Sequence, residues 1–163
     1  MGEPAGRAPL RRLVERLRAD PASLDGAVAA ARAEAPPVAA LPVQEVRRHI
    51  LTLLAAVAAV FVDGVPADDF GRAADRLAAD RAVQGVPLTA LLDGYQAARR
   101  YLMLRLIEDA QAEGLAADQL LDGLVELDAL TMFVQNRLVQ AYRETELGLA
   151  RTAHAARTEA LRD

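Results

Sequence analysis

The sequence predicts an all-α fold of about six helices that ends in a long exit helix, and three observations lead there. Of 163 residues, 36 are Ala and 25 are Leu, against two Ile, three Phe and no Trp. That is a helix-forming composition nearly devoid of strand formers other than Val. Apolar residues recur at spacings of three and four. A Gly-Val-Pro tripeptide also occurs twice, 21 residues apart, at Gly64–Pro66 and Gly85–Pro87, where helices would turn.

Residues 1–7 read as a loose tail. The first helix is expected over 9–19, with Leu10, Leu13, Val14 and Leu17 on one face. Asp20-Pro21 restarts the chain as N-cap and first helical residue. A second helix then runs to about Ala35 on a face of Ala27, Ala30, Ala31, Leu24 and Val28. The segment PPVAALP, 36–42, reads as a stiff linker. The third helix, 43–63, is apolar on most sides in its second half (Leu53, Leu54, Val57, Val60, Phe61) and belongs in the centre of a bundle.

At each corner Gly takes the left-handed position closing a helix and Pro opens the next one, so Gly64, Pro66, Gly85 and Pro87 are structural residues. Gly114-Leu115-Ala116 is the same device with Ala for Pro. This places helix four at 66–84, helix five at 87–113 and helix six from 116. After Tyr142 the apolar content of helix six thins to Leu147, Leu149 and Ala. The expected organisation is a tail (1–7), a helical domain (8–145) and an exit helix (146–163) leading to a downstream domain.

Cysteine is absent, which excludes disulfides and thiolate chemistry, and histidine occurs only at 49 and 154. All 19 basic residues are Arg, the net charge is -4 and the pI about 5.2, which argues against direct nucleic-acid binding. The Ala/Arg bias suggests a GC-rich bacterial genome. The N-terminus lacks an apolar signal core and the Ser or Thr of a myristoylation signal. The longest apolar run, Ile50–Val62, would cover about 20 Å as a helix against a bilayer core of about 30 Å. A cytoplasmic protein without a membrane span is expected.

Equipment for catalysis is missing. No Gly-rich phosphate loop occurs, and neither Ser23 nor any Thr sits in a distinctive nucleophile turn. Glu45 and His49 are four apart, and no Glu precedes His154 by three, so the di-iron pattern of Glu-x-x-His fails. No catalytic residue, metal ligand or cofactor is expected. Haem would have to use Tyr95, Tyr101 or Met103, since no His lies between 50 and 153. The acid pairs Asp68-Asp69 and Glu108-Asp109 read as helix-start and surface charges. His49 reads as a boundary His bonded to a nearby carboxylate or carbonyl.

Tyr95, Arg99, Tyr101, Met103 and Phe133 are candidates to line a ligand pocket, with Tyr95 and Arg99 holding a polar head group. Leu138 and Tyr142 are candidates for a homodimer face, and Asn136 for a register-setting residue at a helix–helix contact.

The stretch ADRLAADRAVQGVPLTALLDGYQAARRYLMLRL resembles the N-terminal helical domain of RsbR-type co-antagonist proteins of the bacterial stressosome. The same domain stands at the front of actinobacterial PucR/CdaR-type transcription regulators. The resemblance rests on Arg81, Ala82, Gly85, Pro87, Leu88, Leu91, Leu92 and Tyr95, and on AYRETELGLAR, similar to the family's exit helix. It implies a globin-like or related helical fold without haem. It implies a non-catalytic sensory module that dimerises and passes a signal through its last helix to an output domain. The alternative is a sensor for a small apolar ligand or, further off, haem.

Overall fold

The computed structural model describes residues 7–162, with the side chains of 67–69 excepted. Seven helices make up this part of the chain: α1 (Arg7–Ala19), α2 (Pro21–Glu34), α3 (Pro36–Ala39), α4 (Val43–Asp63), α5 (Ala67–Val83), α6 (Leu88–Ala112) and α7 (Ala117–Ala160). The expected tail lies outside the described residues apart from Arg7, which already belongs to α1 and pairs with Glu126 at 2.7 Å.

The predicted start of α2 is present. The Asp20 carboxylate accepts from the N–H groups of Ala22 (3.1 Å) and Ser23 (3.2 Å), and Pro21 opens the helix. The expected stiff linker is instead partly helical. Pro36–Ala39 forms the single turn α3, which buries Val38, because Pro at the first helical position costs no hydrogen bond.

Gly64, Gly85 and Gly114 have φ of 68°, 72° and 72°. At the second and third corners the residue after Gly donates back five positions, Val86 to Arg81 O and Leu115 to Ala110 O, both at 3.0 Å. These are Schellman closures that satisfy the last carbonyls of α5 and α6. The prolines sit one place earlier than expected. Pro66 and Pro87 are N-caps with ψ of 141° and 147°, extended values from which no helix propagates, so α5 and α6 begin at Ala67 and Leu88.

The helix faces pack as their periodicity requires. Leu10, Leu13, Val14 and Leu17 of α1 are all buried. α4 runs through the middle, touching α1, α2, α5 and α7. α5 lies along α7 and α2 along α6. One core joins Leu53, Phe70, Leu77, Leu91, Val134 and Leu138. A second joins Leu10, Leu13, Phe61, Leu106, Leu120 and Leu127. Two glycines permit the closest approaches: a Cβ on Gly26 would overlap the Tyr101 ring, and one on Gly123 would overlap Leu10.

The first half of α7 is core. Its buried residues end at Tyr142, and from Arg143 to Arg162 every residue except Thr145 is exposed. Among the described residues no helix is long and apolar enough to cross a membrane.

Candidate functional site

The interior holds a cavity of about 120 Å³ to which all seven helices contribute. Its wall is mostly Val, Leu, Ile and Ala. The polar or charged side chains on it are His49 of α4, Arg81 of α5, Tyr95 and Arg99 of α6 and Thr131 of α7.

Tyr95 and Arg99 stand one helical turn apart, so both reach the same spot on α7. The Tyr95 hydroxyl donates to the Thr131 carbonyl at 2.7 Å, and Arg99 Nε donates to Thr131 Oγ1 at 2.8 Å. Arg99 also pairs with Asp128. Burial pushes the Tyr95 phenol far above its ordinary value and keeps it a neutral donor. These groups pin α6 to α7, so the expected pair for a ligand head group is already engaged within the protein.

Beside the cavity, α4 and α5 bring together a polar cluster. Arg81, 2% exposed, donates from Nη1 to Glu45 Oε1 at 3.0 Å and to Gln84 Oε1 at 2.8 Å. Hydrogen bonds from Gln84 and Arg81 hold the Glu45 carboxyl below its ordinary value against the effect of burial. His49 lies one turn along α4. Its Nε2 is 3.0 Å from Asp80 Oδ2 but makes no aligned hydrogen bond. Burial, then the Arg81 charge, lower the His49 pKa, with Asp80 opposing, so the imidazole is neutral at pH 7.

The sequence-derived candidates divide. Tyr95, Arg99 and Met103 line the cavity. Tyr101 and Phe133, expected beside them, lie away from its wall. Tyr101 packs over Gly26 at the α2–α6 crossing, and Phe133 is 43% exposed with its ring centroid 5.5 Å from that of Phe70. Leu138 and Tyr142 are 0% and 5% exposed within the single chain. At these two positions, the expected dimer face, the side chains pack within the protomer's own core. Asn136 is exposed, and Glu108-Asp109 lie at the surface, with Asp109 3.7 Å from Arg105. The Asp68-Asp69 side chains lie outside the described residues.

Sequence reading missed Asp80, Arg81 and Gln84 as partners of Glu45 and His49, and Thr131 as the acceptor for Tyr95. The turn spacing of Glu45 and His49 was visible, but nothing local marks the α5 residues that meet them.

Neither the curated proteins nor the solved structures contain a match to the chain. One family model matches it, described as the RsbT co-antagonist protein rsbRD N-terminal domain, over residues 10–157. That span runs from the first buried residue of α1 almost to the end of α7 and includes the cavity, the polar cluster and all three glycine corners. The chain belongs to the RsbT co-antagonist protein rsbRD N-terminal domain family.

Proposed function

We propose that this chain is a non-catalytic sensory and dimerisation module of a bacterial signalling or transcription regulator, cytoplasmic, which transmits its signal through α7 to an output domain of the same polypeptide. A PucR/CdaR-type actinobacterial regulator is the setting the sequence resemblance favours. The observation that carries the reading is α7 itself. This single helix of 44 residues, about 66 Å long, is core as far as Tyr142 and free thereafter. A small shift of its buried half moves the far end as a rigid rod.

The dimer face moves from Leu138 and Tyr142 to the outer side of α7. Leu121, Val125 and Met132 are 61%, 62% and 41% exposed. With Ala129 and Asn136 they follow spacings of three and four along one stripe, so two copies can align their α7 helices. The test is native mass spectrometry of wild type and of a Val125→Glu/Met132→Glu variant. A dimer converted to monomer is the expected result. A monomeric wild type, or a variant that stays dimeric, rejects this face.

The cavity favours a second reading, a sensor of a small apolar molecule. Its size is comparable to the roughly 150 Å³ apolar cavity known to take benzene, and far below what a haem macrocycle fills. Since Tyr95 and Arg99 are engaged with Thr131, the guest would be apolar throughout. Benzene or xenon should shift the methyl NMR signals of Leu53, Leu102 and Val134. Unchanged spectra at saturating benzene reject this reading.

A further inference from the structure

We propose that Glu45, His49 and Asp80 form a binding site for a divalent transition-metal ion of the zinc class at the contact between α4 and α5. Each offers one ligand atom, and the three atoms lie within 4.8 Å of one another. Glu45 and His49 project from one face of α4 a turn apart, and Asp80 meets them from the last turn of α5.

The independent pointer is His49. Its side chain is 9% exposed, yet Nε2 has no hydrogen-bond partner and faces Asp80 Oδ2 at 3.0 Å. A buried nitrogen left unpaired costs stability, and a cation between it and the carboxylate removes that cost. The 3.0 Å between His49 Nε2 and Asp80 Oδ2 suits such an ion: metal bonds of about 2.0–2.2 Å at tetrahedral angles place neighbouring donors about 3.3 Å apart. Neutral imidazole is the form that ligates. The Asp80 side chain is 46% exposed and gives the ion a path from solvent.

Glu45 is equipped for the third position. Its described hydrogen bonds, from Arg81 and Gln84, both fall on Oε1, which leaves Oε2 to turn toward the ion. One imidazole nitrogen with two carboxylates favours zinc-class ions over magnesium or calcium, and water completes the shell. The guanidiniums of Arg81 and Arg48 stand close by, Arg48 at 4.0 Å from Asp80 Oδ2, and oppose a further cation. The site is accordingly of moderate affinity, in the micromolar rather than the nanomolar range. Occupancy would clamp α4 to α5 at the cavity wall, to which His49 and Arg81 both belong.

The test is calorimetric titration of the tag-free chain, stripped with chelator, with zinc chloride and with magnesium chloride. One zinc per chain is expected, with negligible magnesium binding. His49→Gln and Asp80→Asn should each weaken zinc at least about tenfold, while His154→Gln on the exposed part of α7 leaves it unchanged. No zinc binding by wild type, zinc affinity retained in Asp80→Asn, or affinity lost in His154→Gln would overturn the proposal. If circular dichroism shows that His49→Gln does not fold, Asp80→Asn decides, because its half-exposed side chain is not needed for the core.

Discussion

The hydroxyl of Tyr142 donates a 2.8 Å hydrogen bond to the carbonyl of Val86 inside the core. It ties the last buried turn of α7 to the Schellman corner between α5 and α6. Immediately beyond this bond α7 leaves the protein surface, so it sits where a displacement of the exit helix would begin.

Removing that hydroxyl should loosen the exit point without changing assembly. Tyr142→Phe keeps the ring but leaves the Val86 carbonyl unpaired, which costs about 1–2 kcal/mol. Urea denaturation should show the loss, and native mass spectrometry should show an unchanged oligomer. A change of mass with unchanged stability would return Tyr142 to a subunit interface.

The two helical glycines of α7 should respond in opposite directions. At Gly123 a methyl group meets Leu10, which is wholly buried and has nowhere to move. Overpacking of about 1–3 kcal/mol there outweighs the roughly 1 kcal/mol that Ala gains over Gly in a helix. Nothing lies within 4 Å of a Cβ at Gly148, so Gly148→Ala should stabilise α7 by about 0.5–1 kcal/mol. Thermal melts of both variants check the sign of each.

Arg81 and Arg137 both pair with carboxylates, yet only one pair should matter to stability. Arg81→Gln leaves Glu45, whose side chain is 20% exposed, without its cation in a largely desolvated place. A loss of about 2–3 kcal/mol is expected, somewhat less than for a fully buried pair. Arg137 holds Asp75 in a bidentate bridge at 2.8 and 2.9 Å, but the side chains are 43% and 37% exposed. Arg137→Gln should cost far less, because solvent screens an exposed pair. Chemical denaturation of the two variants gives the ranking.

Stability should fall as the solution is acidified from pH 7.5 towards 5.5, in a chelating buffer. The His49 pKa is lowered in the folded state from its ordinary 6.5. Below that value the unfolded chain takes up a proton that the native chain refuses, so unfolding is favoured as pH drops. The groups around the imidazole are Glu45 and Arg48 on α4 and Asp80 and Arg81 on α5. His49→Gln should flatten the melting temperature over this interval. A variant as pH-sensitive as wild type would place the effect elsewhere.

The helices and their limits were legible because their causes are local. Composition and spacing placed the long elements, Asp20-Pro21 marked a helix start, and Gly64, Gly85 and Gly114 marked three ends, since each acts on neighbouring backbone. The central position of α4 followed from its second half, apolar on most sides. Resemblance located the family through Arg81, Gly85, Pro87 and Tyr95. None of this says which partner a face meets. Successive helical residues turn by about 100°, which suffices to put Val134 in the core and Phe133 outside it, and Leu138 inward where a dimer contact was expected. Asp80 reaches His49 across 31 positions of sequence only because α5 folds back along α4. Local physics made the helices; long-range packing alone decided which side chains share the cavity, which carboxylates surround His49, and which stripe of α7 is left for a partner.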